Sequence, residues 1–254
     1  MPDGTRESLP NRKAPRWGVL LSARNLLLDM SRQPDLVTCG PTCLHAAYGY
    51  FEEPPPPLDE IIGEVQSLEG GGTLAVMLGC HALERGYRAI IYSYNLRIFD
   101  PTWFEMDRVE LVRRLRARIQ AKQGKKLKEA AEAYSRFLDL GGEVRMSDLS
   151  ARLIRGLLDA GLPILTGLSA TYLYQAPREL GIRDDDIMGD PQGHFVILAG
   201  YEEGGGQVLV ADPLGGTQWV ESTFYPVPMD RLITAILLGV LTYDANLLIL
   251  EPKE

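Results

Sequence analysis

The chain has 254 residues, 45% hydrophobic and 24% charged, a composition that suits one large globular domain. Its 34 acidic and 26 basic residues give a net charge of −8, which excludes a general electrostatic role in nucleic-acid binding. Three cysteines do not form a disulfide framework, and their odd number points to a reducing compartment. We therefore expect a soluble cytoplasmic protein with a single domain over residues 1–254.

We expect neither a membrane span nor a targeting signal among the N-terminal residues. Residues 1–16 are polar and contain prolines, which predicts a flexible N-terminal arm. Residues 18–29 are largely apolar, but Arg24 and Asn25 interrupt the run, and it is too short to span a bilayer. We expect no membrane association.

The most informative stretch surrounds Cys39, which is followed by Gly40, Pro41 and an apolar run. Proline is favoured in the first turn of a helix, so we predict a helix from Pro41 to Phe51 with Cys39 at its N-terminal edge. The positive end of the helix dipole favours the nucleophilic thiolate form of such a cysteine. Gln33 lies six residues earlier, where its side-chain amide could donate to a developing oxyanion.

A partner for this thiol is sought among only three histidines. His194 opens an uninterrupted apolar run to Tyr201 that predicts a buried strand, and a second predicted strand runs from Gln207 to Asp212. If Tyr201 faces Gln207 in a hairpin, Asp212 faces Val196 and lies diagonal to His194 on the same face. Diagonal neighbours are within side-chain reach, so Asp212 could orient the imidazole.

These motifs together resemble the bacteriocin-processing peptidase family, papain-like cysteine peptidases that cut after double-glycine leader sequences. The resemblance rests on Gln-x5-Cys-Gly-Pro-x-Cys, on Gly-His-Phe-Val-Ile-Leu and on a following Ala-Asp-Pro. It implies that Cys39 is the nucleophile, His194 the base, Asp212 its orienting group and Gln33 the oxyanion residue. It also implies an α/β (α+β) papain-like fold, with the cysteine on an N-terminal helix and the histidine and aspartate on an antiparallel sheet. The motifs come without a transporter segment, so we expect a stand-alone form.

Between the two motif regions, residues 105–142 are rich in Arg, Lys, Glu, Ala and Leu, and they predict a charged helical insertion with Gly124 as a break. A basic arm for an acidic partner is possible, but a solvated face on an insertion is the favoured interpretation. The run Gly70–Gly72 is interpreted as a turn rather than a phosphate loop, because no lysine follows it. Thr73 and the pair Ser147–Asp148 are predicted to cap the helices that follow them.

An alternative use of the cysteines is a zinc site built from Cys39, Cys43, Cys80 and His81. We disfavour it because adjacent helical residues point in different directions and no second ligand pair is present. We predict no metal or cofactor, and we expect Cys43 and Cys80 to be buried core residues. Four aspartates between Asp184 and Asp190 predict an exposed acidic loop rather than a calcium site.

We therefore predict a cysteine peptidase acting on a peptide or protein substrate, through a Cys-His-Asp triad and a glutamine oxyanion hole, with peptide maturation as one role that it could serve. One alternative is an acyl transferase, transglutaminase-like, that uses the same triad with an amine acceptor. Another is a catalytically silent peptide-binding module. The sequence leaves the scissile bond and the oligomeric state open.

Overall fold

The computed structural model describes residues 22–253, so the predicted arm at residues 1–16 lies outside the described part. The helices are α1 (Cys39–Phe51), α2 (Leu58–Glu64), α3 (Ala75–Glu84), α4 (Arg108–Ala121), α5 (Lys125–Asp139), α6 (Ala151–Asp159), α7 (Ala170–Tyr174) and α8 (Met229–Leu238). Short 3-10 turns occupy Pro101–Trp103 and Gly239–Thr242. Within residues 22–253, no helix has the length and apolar character needed to cross a membrane.

The strands form one large mixed sheet and a small hairpin. They are β1 (Ser22–Asn25), β2 (Arg88–Ser93), β3 (Glu143–Arg145), β4 (Ile164–Ser169), β5 (Glu179–Leu180), β6 (Arg183–Asp184), β7 (Gly193–Glu202), β8 (Gln207–Ala211), β9 (Phe224–Pro228) and β10 (Asn246–Glu251). The large sheet has the order β3-β2-β10-β4-β7-β8-β9, and β1 also pairs with β7. Every pairing is antiparallel except that of β2 with β3. The predicted mixed α/β class is confirmed.

Both faces of the large sheet are buried, and the alternation of side chains along each strand divides the core in two. On β10, Leu248 and Leu250 belong to the cluster that α1, α3, α4 and α5 cover. Leu247 and Ile249 belong to the cluster on the opposite face, which α6 and α8 cover. Because side chains alternate with period two, a strand buried on both faces is apolar throughout. This explains the largely apolar composition of β4, β7 and β10.

The charged region at 105–142 forms α4 and α5, and Gly124 separates them at a φ of 142°. The apolar faces of both helices join the same core as α1 and α3, with Tyr134 and Phe137 almost fully buried. Most of the basic side chains pair with nearby carboxylates. These pairs include Arg113 and Arg114 with Glu110, Arg116 with Asp139, Lys125 with Glu69, Lys128 with Glu132 and Arg136 with Glu84. The charges therefore form an ion-paired surface, and the status of the segment as an insertion stays a prediction.

Two predicted helix caps are wrong. Thr73 does not cap α3, since its hydroxyl donates to the carbonyl of Gln66 at 3.0 Å. The carboxylate of Asp244, distant in sequence, instead accepts from the backbone N–H of Ala75 at 3.2 Å. Helix α6 is capped by the Ser150 side chain and begins after the predicted Ser147–Asp148 pair. Ser150 is adjacent to the first helical residue, as an N-cap must be.

Packing between α3 and α5 depends on Gly79. A Cβ atom at Gly79 would lie 2.7 Å from the Phe137 ring. Gly142 lies against another edge of the same ring, so closely that a Cβ atom there would also collide with it. We expect Gly79→Ala to lower the free energy of unfolding by about 1–3 kcal/mol, because the buried ring has no room to move. Gly63 of α2 is the matched control, since a Cβ atom there would have no neighbouring atom within 4 Å. Gly63→Ala should raise the free energy of unfolding by up to about 1 kcal/mol in urea titrations; equal effects of the two changes would contradict this packing.

Candidate active site

Cys39 is the first residue of α1, two residues earlier than the predicted start of the helix at Pro41. The preceding loop is ordered by Asp35, whose carboxylate accepts from the backbone N–H of Val37 at 2.8 Å. Gly40 lets the start of α1 pack against the loop before α3, because a Cβ atom there would collide with Thr73; the Phe195 ring of β7 would lie 3.4 Å from the same atom. The local sequence thus brings the Cys39 thiol close to the beginning of β7.

His194 and Asp212 lie at neighbouring strand ends, but the predicted hairpin register is wrong near its turn. Tyr201 pairs with Val208 rather than with Gln207, a shift of one residue. A β-bulge between Leu198 and Gly200 cancels the shift, so that Leu198 pairs with Val210 and Ile197 with Ala211. Bulges insert one extra residue in one strand. The strand end at His194 therefore regains the expected register, and Asp212 directly follows β8.

The imidazole of His194 and the carboxylate of Asp212 form a buried pair. Nε2 of His194 lies 2.9 Å from Oδ1 of Asp212, and Asp212 is fully buried. Since Nε2 is engaged by the carboxylate, Nδ1 is the ring nitrogen available to another partner. The carboxylate thereby fixes the orientation of the ring.

Cys39 lies on the same cleft as this imidazole and is close enough to influence its pKa. Burial disfavours the charged ring, but the charges of Asp212 and Cys39 and their hydrogen bonds outweigh it and raise the pKa of His194 to about 10. Burial also opposes ionisation of Asp212, yet His194, Tyr225 and the backbone of Leu214 lower the pKa of its carboxyl. The arrangement therefore favours the imidazolium form of His194 beside the Asp212 carboxylate.

Two tyrosines that the sequence analysis did not identify complete the environment of Asp212. The hydroxyl of Tyr174 on α7 donates to Oδ2 at 2.8 Å, and that of Tyr225 on β9 donates at 2.5 Å. The backbone N–H of Leu214 donates to Oδ1 at 2.8 Å. Nothing local in the sequence marks these tyrosines, because both come from elements that meet Asp212 only in the folded sheet.

Gln33 is near the site through its backbone, while its side chain faces its own loop. Its N–H donates to the carbonyl of Pro213 at 3.0 Å, which ties the loop to the residue after Asp212. Its Nε2 donates to the carbonyl of Asp35 at 2.6 Å. Its Oε1 is buried and has no hydrogen-bond partner within residues 22–253. One N–H of the amide remains for another acceptor.

A cleft of about 290 Å³ lies beside Cys39 and His194. Its walls come from five parts of the chain and include Leu36, Val37, Leu68, Gly70–Gly72, Thr73, Lys126, Gln192, Gly193, Thr242 and Asp244. Gly71 and Gly72 have φ values of 87° and 75°, so the glycine run forms a turn, as predicted. The position of this turn on the cleft wall, and of Lys126 from α5 beside it, was not predicted.

The remaining cysteines and histidines have other surroundings. Cys43 is fully buried, and its Sγ lies 3.4 Å from the carbonyl of Phe195; Cys80 is buried against α5. His81 lies between the Tyr48 hydroxyl at 2.8 Å and the Glu64 carboxylate at 3.0 Å. Within the described residues, no three His, Cys, Asp or Glu side chains are grouped so that they could hold a metal ion.

We expect the imidazole of His194 to stay protonated well above pH 7. Because the pKa of His194 is higher in the folded than in the unfolded protein, protonation of the ring stabilises the fold. This stabilisation is complete below the unfolded-state pKa of about 6.5 and is lost as the pH rises toward about 10. Asp212→Asn and Cys39→Ala should each lower the pKa of His194, because each removes a source of negative charge. NMR titration of the imidazole protons checks this, with His45 as the internal control that neither change should move. A wild-type His194 that titrates near pH 6.5 would contradict the charged pair.

Comparison with known proteins gives one family match. The model described as Peptidase_C39 like family matches residues 112–227, which include His194 and Asp212. Similar solved structures include a double glycine motif protease from an AMS/PCAT transporter in complex with the leader peptide, at 13% identity and a TM-score of 0.42, covering 92% of this chain and 98% of that one. Another, described as a C39-like peptidase from Bacillus anthracis, has 13% identity and a TM-score of 0.49, covering 93% of this chain and 100% of that one. No curated protein matches this chain. The family match confirms the resemblance stated from the sequence: over residues 112–227 this chain is similar to the Peptidase_C39 like family.

Proposed function

We propose that this protein is a cysteine hydrolase that cuts a peptide or amide bond, with Cys39 as nucleophile, His194 as acid and base, and Asp212 as orienting group. The observation that carries the proposal is the meeting of the Cys39 thiol with the buried His194–Asp212 pair beside an open cleft. The Peptidase_C39 like match supports a cysteine peptidase in general.

The proposed reaction begins with the Cys39 thiolate attacking the carbonyl carbon of the substrate. The C–S bond forms as the carbonyl electrons move to oxygen, which gives a tetrahedral intermediate. His194 then donates a proton from Nδ1 to the leaving amine, and the C–N bond breaks to leave a thioester on Cys39. Water attacks the thioester while His194 takes its proton, and release of the acid restores the thiolate–imidazolium pair.

The oxyanion of the intermediate is assigned to the backbone N–H of Cys39 and the amide of Gln33. The first N–H groups of a helix have no partner within the helix, so the start of α1 can offer a donor at Cys39. The second N–H of the Gln33 amide is not needed for its bond to Asp35. We therefore assign this second N–H of the Gln33 amide as the second donor to the oxyanion.

The nucleophile is tested by alkylation of Cys39 with iodoacetamide from pH 4 to 10, located by peptide mass. We expect rapid alkylation well below pH 8.5, the pKa of an ordinary thiol. His194→Ala should remove this advantage, whereas His45→Ala should keep it. A wild-type Cys39 that reacts no faster than an ordinary thiol, with or without His194, would contradict the proposed function.

Turnover is tested with a proteome-derived peptide library, in which new termini are identified by mass spectrometry. The wild-type protein should generate termini that the Cys39→Ala protein does not. Added hydroxylamine separates hydrolysis from acyl transfer, because in an acyl transferase it takes the acyl group from the Cys39 thioester, so that the product is largely a hydroxamate and not an acid. An activated Cys39 with no new terminus and no acyl product would overturn turnover and favour a silent peptide-binding module.

Gln33→Ala should lower kcat by about 100-fold to 1,000-fold once a cleaved peptide is known, because one oxyanion donor is removed. Alkylation of Cys39 by iodoacetamide should stay as in the wild type, since that reaction forms no oxyanion. Gln66→Ala, on the loop before α3, is the control that should leave kcat unchanged. An unchanged kcat in Gln33→Ala would show that Gln33 is not an oxyanion donor.

A further inference from the structure

The side of Asp212 that faces away from His194 is occupied by two phenol groups. Oδ1 holds the imidazole and the Leu214 N–H, whereas Oδ2 accepts from both Tyr174 and Tyr225. The carboxylate thus accepts four hydrogen bonds in a fully buried position. Four acceptor positions are the capacity of an ionised carboxylate, so no lone pair is left to draw Asp212 away from the imidazole.

The two tyrosines reach Asp212 from different elements. Tyr174 ends α7, which begins directly after β4, and its ring centroid lies 6.1 Å from that of His194. Tyr225 lies on β9 and pairs with Val210 of β8, two residues before Asp212. Their donors are therefore fixed independently, one by the helix and one by the sheet.

We propose that Tyr174 and Tyr225 are positioning residues that hold the Asp212 carboxylate ionised and aimed at His194, and so maintain the activated Cys39. This inference rests on the proposed function. Hydrogen bonds from neutral donors stabilise a buried carboxylate in its charged form. If they are removed, Asp212 takes up a proton at higher pH, and the imidazolium loses its counter-charge at that point.

The titratable groups that face Asp212 are few and come from four elements. His194 of β7, Tyr174 of α7 and Tyr225 of β9 contact it directly, and Cys43 of α1 lies near enough for the carboxylate to raise its pKa further, beyond the larger effects of burial and Cys39. The pKa values of both tyrosines are raised well above their usual range, first by burial and then by the adjacent carboxylate. Both phenols therefore remain donors throughout the pH range of an alkylation experiment.

The test compares Tyr174→Phe, Tyr225→Phe and the double variant with the wild type, because phenylalanine keeps each ring and removes only the hydroxyl. The matched control is Tyr201→Phe, since the Tyr201 hydroxyl also donates to a carboxylate, that of Asp159, at 2.6 Å on an exposed part of β7. Alkylation of Cys39 by iodoacetamide is followed from pH 4 to 10, and melting temperatures are recorded for each protein.

We expect the acid midpoint of the alkylation profile to rise by about half a unit in each single variant and by about one unit in the double variant. Tyr201→Phe should leave the midpoint unchanged. A lower melting temperature with an unmoved midpoint would overturn the inference, because it would show that the phenols serve only the stability of the fold. If one single variant does not fold, the alkylation midpoint of the other decides between the two roles. If neither folds, the phenols have a structural role and the inference is overturned.

Failure of the inference is distinguishable from failure of the proposed function. A wild-type Cys39 without activation would contradict the function itself, before any tyrosine is changed. If Cys39 is activated in the wild type and its alkylation profile is unchanged in the double variant, only the positioning role of Tyr174 and Tyr225 is overturned.

Discussion

The ionised carboxylate of Asp212 is the constraint on which the candidate site depends. A buried charge is costly unless it is paired and hydrogen-bonded, and here the imidazole of His194, two phenols and a backbone N–H meet that requirement. The three side-chain donors come from separate elements. The strand end at β7, the start of β9 and the end of α7 therefore converge on one carboxylate.

The helix that carries Cys39 is one of those that cover the two faces of the large sheet. Helices α1 and α3 cover one face, and α6 and α8 cover the other. Helix α1 lies against β7 at Gly40 and Cys43, and the Cys43 Sγ lies 3.4 Å from the Phe195 carbonyl. Cys39 is thus held by the core, and the cleft beside it is bordered by loops and by α5.

The charged helices α4 and α5 illustrate how one segment can serve both packing and the site. Their apolar faces extend the core, and most of their basic side chains are paired with carboxylates. Lys126 instead lies on the wall of the cleft that Cys39 also lines. A substrate in the cleft would therefore meet a side chain from this segment.

The sequence by itself determined the elements that local chemistry specifies. The Gly-Pro pair after Cys39 predicted the helix, and the apolar run from His194 predicted a strand buried on both faces. The order of Cys39, His194 and Asp212 in the motifs predicted the residues that the fold brings together. Such features depend on neighbours within a few residues, and side-chain periodicity records them directly.

Only the tertiary structure decided the features that depend on pairing between distant segments. The bulge near Ala199 sets the register at His194, and Asp244 caps a helix 169 residues away in sequence. The convergence of Tyr174 and Tyr225 on Asp212 likewise needs the assembled sheet. Strand register and the satisfaction of buried polar groups are properties of the whole packed chain, so no local pattern encodes them.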